Sequence, residues 1–202
     1  MRSKQYFTTP ELMRLYKCQI LSFVESSTPG LYHAAPTTLD RVDRVQRRFL
    51  REIGLSELEA LRDYRLAPLC SRRDMGMLGA LHKLNLGNAP AQLEALFPVM
   101  GVVTENFQLQ RLRGWRSRHS KQLYTAASFE STDLMKRSLF GLVHCYNQLP
   151  QCIVDSASVK QLQQRLQRAL LRLAELGVPD WQALFSSGWR RFTRTKLDTL
   201  FR

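Results

Sequence analysis

Acidic residues are scarce in this chain, and no two of them are adjacent. That excludes the paired-aspartate motif of a metal-dependent polymerase. No glycine-rich phosphate loop of the G-x-x-x-x-G-K-[ST] kind is present, and no H-E-x-x-H zinc motif. The four cysteines (Cys18, Cys70, Cys145 and Cys152) form no C-x-x-C pair. Cys145 and Cys152 lie near His144, but no second close pair completes a zinc site. The cysteines are expected to be reduced and mostly buried, as in an intracellular protein. No apolar run approaches the roughly 18 residues of a membrane span, and the N-terminus lacks the apolar core of a signal peptide. A soluble protein of the nucleus or cytoplasm, with no membrane partner, is therefore expected. The four histidines (His33, His82, His119 and His144) are scattered and expected at the surface or half-buried, not as catalytic bases.

What the sequence has in excess is positive charge. Thirty Lys and Arg stand against seventeen Asp and Glu, a net charge of +13. Arginine supplies most of these cations, so planar, paired-hydrogen-bond donors dominate. A chain this basic expects a polyanion as partner.

The apolar spacing is helical almost throughout, and an all-α protein is expected. Pro10, after Thr8 and Thr9, opens a helix with Leu12, Leu15, Tyr16, Ile20 and Phe23 on its stripe. Ser26 to Gly30 breaks it, and Pro36 opens a second helix that stops at Gly54. Ser56 with Glu59, and Ser71 with Asp74, have the spacing of a capping box. Met75, Leu78, Leu81 and Leu84 line one face of the helix after Ser71, with Gly87 as its cap. "DLMKRSLFGLVHCYNQLP" is a helix halted by Pro150. Asp155, Ser156 or Ser158 caps a last long helix, with Val159, Leu162, Leu166, Leu173 and Leu176 inward and Gly177 at its end. Short helices follow, in which Trp189 and Phe192 are expected to dock on the core. Three parts result: a bundle-like helical unit over 1–97, a long basic connector over 98–132, and a C-terminal helical unit over 133–202.

Two segments carry candidate phosphate contacts. On the helix that holds "RVDRVQRRFLREIG" the expected core face is Leu39, Val42, Val45, Phe49 and Ile53. Arg41, Arg44, Arg47, Arg48 and Arg51 fall opposite. Guanidinium groups on one ridge suit a phosphate backbone, because each makes paired hydrogen bonds and releases counterions. The competing expectation is a solvated face whose arginines pair with Asp40, Asp43 and Glu52. In the connector, Arg111, Arg113, Arg116, Arg118 and Lys121 are interleaved with Trp115 and Tyr124, which suit stacking on unpaired bases. Here the alternative is a basic loop whose tryptophan packs on the body.

The order of motifs resembles a known family. "LMRLYKCQILSFVESSTPGLYHA", "LDRVDRVQRRFLREIGL" and "LAPLCSRRDMGMLGALHKLNLGNAP" come first, and "SLFGLVHCYNQLPQCIVDSASVKQLQQRLQ" closes the series. Together they are similar to the region that follows the palm in reverse transcriptases of non-LTR, LINE-type retrotransposons. "VQRRF" and "N-x-L-P" in this order are its most specific elements. Tyr146-Asn147 stands where the family usually shows Trp-Asn. The resemblance implies thumb-like helices and a C-terminal extension that hold an RNA, DNA or hybrid duplex without catalysing. The Mg²⁺-binding Asp pair would belong to a palm upstream of Met1, so no cofactor is expected in this chain. A truncated copy of such an element is the implied origin. The rival expectations are a helical protein–protein module, and a relic with no activity of its own.

Overall fold

The computed structural model describes residues 6–99, 119–124, 133–185 and 201. It is all-α: among these residues there are helices and one isolated antiparallel bridge, Val99 to Leu123, but no sheet. The first helical rod runs through α1 (Thr9–Leu15), a π-helical stretch (Tyr16–Leu21) and α2 (Ser22–Ser26). The Glu11 carboxylate accepts from both the N–H and the hydroxyl of Thr8, which anchors its start. A single turn, α3 (Thr28–Leu31), fills the break expected at Ser26 to Gly30. Then come α4 (Pro36–Ile53), α5 (Glu57–Tyr64), α6 (Leu69–Asn85) and α7 (Ala91–Leu96). The C-terminal part holds α8 (Asp133–Lys136), α9 (Leu139–Asn147), α10 (Gln151–Val154), α11 (Val159–Glu175) and a 3₁₀ turn (Trp181–Ala183).

The π stretch corrects the expected stripe of the first rod. Leu12 and Tyr16 are buried, as are Met13 and Leu21, but Leu15, Ile20 and Phe23 are exposed, Phe23 by 72%. A π turn takes in an extra residue, so the inward position after Tyr16 moves from Ile20 to Leu21. The 3.6 period that pointed to Ile20 and Phe23 fails at that turn.

Several sequence-read boundaries hold. Ser56 caps α5, and the carboxylate of Glu59 returns to the Ser56 N–H at 2.8 Å. Gly54 closes α4 with φ 77°, a left-handed conformation that glycine adopts without Cβ strain. Ser158 caps α11, its hydroxyl accepting from the Gln161 N–H. Ser71 and Asp74 do not start α6: Pro68 precedes its first residue, and both side chains sit inside it, buried. Ser71 instead donates to the carbonyl of Gln182, and Asp74 accepts from the Tyr32 hydroxyl at 2.7 Å. The helix expected before Pro150 breaks into α8 and α9, where the Ser138 hydroxyl accepts from the Phe140 N–H. On α11, Leu162, Leu166, Leu170 and Leu173 are buried while Leu176 is 73% exposed.

Helix α6 is the axis of the packing. It lies against α11 and α9, and against α4, α2 and α3. Two apolar clusters meet around it. The smaller joins Leu12, Tyr16, Leu21, Phe49, Leu50 and Ile53 with Ala60, Leu66 and Leu69. The larger joins α5 and α6 to α9 and α11, so residues of the 1–97 and 133–202 parts build it jointly. Between α6 and α11 the approach is close. A Cβ placed on Gly79 would stand 2.8 Å from Val159 Cγ1.

The segment 119–124 is docked on this second cluster. His119, Gln122 and Leu123 are buried. The Asn147 side chain accepts from the Leu123 N–H at 2.9 Å and donates to its carbonyl at 2.8 Å. The "N-x-L-P" motif therefore acts here as a clamp: Asn147 holds the returning chain, Leu149 is buried, and Pro150 precedes α10. His82 and His119, both buried, correct the expectation of surface or half-buried histidines, which His33 and His144 meet. His82 is wholly buried, with Nε2 on the Ser156 carbonyl at 2.8 Å and Nδ1 on the Tyr146 hydroxyl at 2.9 Å. The cysteines split: Cys145 is buried and Cys70 partly so, whereas Cys18 and Cys152 are exposed, against the expectation of mostly buried thiols.

Candidate nucleic-acid interface

Helix α4 is fixed by an aromatic stack and a polar bridge. The rings of Tyr16 and Phe49 lie 4.3 Å apart at 11°. The Tyr16 hydroxyl donates to Gln46 Oε1 at 3.3 Å, and Gln46 Nε2 donates to the Ala67 carbonyl at 3.0 Å. Burial pushes the Tyr16 phenol up to about 12, with Asp43 and Glu25 adding to the rise and Arg72 opposing it. The inward face of α4 is Gln46, Phe49, Leu50 and Ile53. Val45, expected in the core, is 48% exposed. It stands about 100° round the helix from Gln46, outside the sector that the first rod and the α5–α6 turn cover. Gln46 is the residue that the hydrophobic pattern missed, because its amide is buried only by virtue of partners on other elements.

All five arginines of α4 are exposed, as expected: Arg41, Arg44, Arg47, Arg48 and Arg51. Asp40 takes two of them. Arg44 reaches its carboxylate through Nε at 2.8 Å and Nη2 at 2.6 Å, and Arg47 binds its other oxygen. Those hydrogen bonds, from Arg44 first and then Arg47, hold the Asp40 carboxyl below its ordinary range. Such exposed pairs are weak and exchange readily for another anion. Asp43 faces away and forks onto Arg73 of α6, with Nη1–Oδ1 at 2.5 Å and Nη2–Oδ2 at 2.9 Å. This removes a carboxylate from the arginine side. Arg41, Arg48 and Arg51 form no ion pair among the described residues.

The second track is placed in part. Arg111, Arg113, Trp115, Arg116 and Arg118 lie outside the described residues, as do Trp189 and Phe192 of the tail. Lys121 and Tyr124 belong to the docked segment. Lys121 Nζ points to the Val154 carbonyl at 3.4 Å and stands 4.0 Å from Asp155. Tyr124 is half-buried, and its N–H donates to the Pro98 carbonyl. These two residues are thus tied to the body of the protein.

A cleft of about 260 Å³ opens between α4 and the turn before α6, lined by Asp43, Gln46, Arg47, Glu57, Leu69 and Cys70. Burial pushes the Cys70 thiol up to about 11, which leaves it unreactive near neutrality. No group of three or more His, Cys, Asp or Glu side chains gathers as a metal site among the described residues. No helix among them is long and apolar enough to cross a membrane.

Fold and site together define a class: an all-α protein with an arginine-faced helix mounted on a shared helical core. Comparison with family models, with curated proteins and with solved structures finds no match for the chain.

Proposed function

We propose that the outer face of α4 binds the sugar-phosphate backbone of a nucleic acid, and that the chain contributes no catalysis of its own. The single observation that carries this is the accounting of charge on α4. Arg41, Arg48 and Arg51 stand exposed with no ion pair among the described residues, while Asp43, one of the acids of α4, is forked onto Arg73. Arg44 and Arg47 add to the face once Asp40 is displaced. In this proposal the chain corresponds to the thumb and post-thumb part of a non-LTR reverse transcriptase. The order of "VQRRF" and "N-x-L-P" supports that assignment, and the absence of a Y/F-x-D-D sequence agrees with a binding role.

The test is the salt dependence of binding to an RNA–DNA hybrid and to each homoduplex. Each phosphate neutralised contributes about −0.9 to the slope of log K against log salt on a duplex. Replacing Arg41→Glu and Arg48→Glu together is expected to weaken binding and to flatten that slope by about two contacts' worth. Unchanged affinity and slope in this variant reject the proposal.

One observation favours a second reading. Leu15, Ile20 and Phe23 expose apolar surface on the first rod, which suits docking on another protein domain, such as the palm implied by the resemblance. Loss of a protein partner in Phe23→Ser, with nucleic-acid binding intact, would separate this role from that of α4.

A further inference from the structure

Helix α11 carries a basic ridge that the sequence pattern did not single out. Lys160, Gln164 and Arg168 recur every four residues and are exposed, so they share one outward line opposite Leu162, Leu166 and Leu173. The helix contains four cations, Lys160, Arg165, Arg168 and Arg172, against one acid, Glu175, in its last position. The glutamines beside the ridge are occupied by the protein itself. Gln161 Oε1 accepts from the Ala157 N–H, Gln163 reaches the Met75 carbonyl and Gln167 donates to the Arg65 carbonyl. Arg165 donates to the Cys152 carbonyl. Lys160, Gln164 and Arg168 are left facing solvent.

This ridge is separate from the arginine face of α4. Both helices pack on α6, but at different sectors. Arg73 of α6 meets Asp43 of α4, while Gly79 approaches Val159 and Gln163 of α11. Six residues separate Arg73 from Gly79, which places the two helices about 120° apart round α6 at about 100° per residue. The exposed Leu176 caps the C-terminal end of α11, eight positions past Arg168, and no large exposed apolar side chain lies beside Lys160, Gln164 and Arg168, so the ridge itself lacks the means to insert into a lipid surface. Cations and an amide donor in line, with one acid only at the far end, suit phosphate oxygens.

We infer that the Lys160–Gln164–Arg168 ridge is a second site for a sugar-phosphate backbone, which lets one chain hold two nucleic-acid segments at once. The inference rests on the α4 proposal for the first segment, but its own site is tested independently.

The experiment is a bridging assay. A duplex of about ten base pairs is immobilised, the full chain is added, and capture of a second, fluorescent duplex is measured. The wild type is expected to bridge the two. Lys160→Glu with Arg168→Glu is expected to keep single-duplex binding and to lose bridging severalfold, with Lys160→Gln and Arg168→Gln giving an intermediate loss. All four changes are at exposed positions, and an unaltered thermal melt will verify the fold. Bridging that survives the double reversal overturns the inference. So does binding to anionic vesicles through this ridge with no duplex binding. If the α11 reversal abolishes all duplex binding while Arg41→Glu with Arg48→Glu changes nothing, the α4 proposal fails and the α11 site stands.

Discussion

Asn147 and Leu123 are joined by two hydrogen bonds, the side-chain amide of one matching the backbone N–H and carbonyl of the other. The contact imitates one rung of a sheet, although the described residues form no sheet. It also fixes where the basic connector returns to the core. Replacing Asn147 with Leu keeps the branched shape but strands two buried backbone groups, at a cost of about 1–3 kcal/mol each. Chemical denaturation should show the loss, and amide exchange at Leu123 should accelerate more than exchange along α11.

The Arg73–Asp43 fork sits with the arginine side chain 6% exposed and the carboxylate 20% exposed. Truncating Arg73 to Ala leaves a half-buried charge without its partner, and a loss of about 3–5 kcal/mol is expected. Replacing both residues together, Arg73→Met with Asp43→Leu, should recover most of it. A double-mutant cycle by urea denaturation measures the coupling.

His82 predicts a pH dependence. Burial lowers its pKa, the Lys121 charge lowers it further, and the hydrogen bond to the Ser156 carbonyl opposes both. The unfolded chain therefore takes up a proton near the ordinary histidine value of about 6.5, before the folded protein does. The stability tied to neutral His82 is full above about pH 6.5 and declines as pH falls towards the lowered folded value. Melting temperature measured from pH 7.5 down to 5 should fall, and His82→Gln should flatten that part of the profile.

Gly79→Ala puts a methyl group 2.8 Å from Val159 Cγ1 and 2.9 Å from Gln163 Nε2. The amide can swing away, but the β-branched valine has little freedom, so a loss of about 1–3 kcal/mol is expected. Gly79→Ala combined with Val159→Ala should restore part of it in thermal melts.

The register of the first rod is open to a paired test. Leu21→Ala should cost about 2–5 kcal/mol, as for a core leucine. Phe23→Ser should stay within about 0.5 kcal/mol, as for a surface position. A straight α-helical stripe through Ile20 and Phe23 would give the reverse order.

Several of the helices were legible in the sequence where their ends are chemically marked. Thr8, Ser56 and Ser158 announce starts, and Gly54, Gly87 and Gly177 announce ends, each glycine with positive φ. The Met75, Leu78, Leu81 and Leu84 face was equally plain, and all four are buried. What stayed hidden depends on partners far along the chain. Gln46 is polar and buried because Tyr16 and Ala67 meet its amide. Asp43 looked like a local partner for neighbouring arginines, but Arg73, thirty residues on, takes it. For the candidate site, the outward placement of the five arginines followed from helical period alone. The ridge on α11 did not stand out, because its cations are spaced by glutamines and never form a run.

The π turn at Tyr16–Leu21 has a consequence for chain length. It holds one residue more than an α turn joining the same two ends would need. Removing Gln19 would place Tyr16 and Leu21 four positions apart and draw the rod into a continuous α-helix, with Leu12, Tyr16 and Leu21 still facing Phe49 and Ile53. The rod could therefore lose one residue there while the arginine-bearing helix beside it stays where it is.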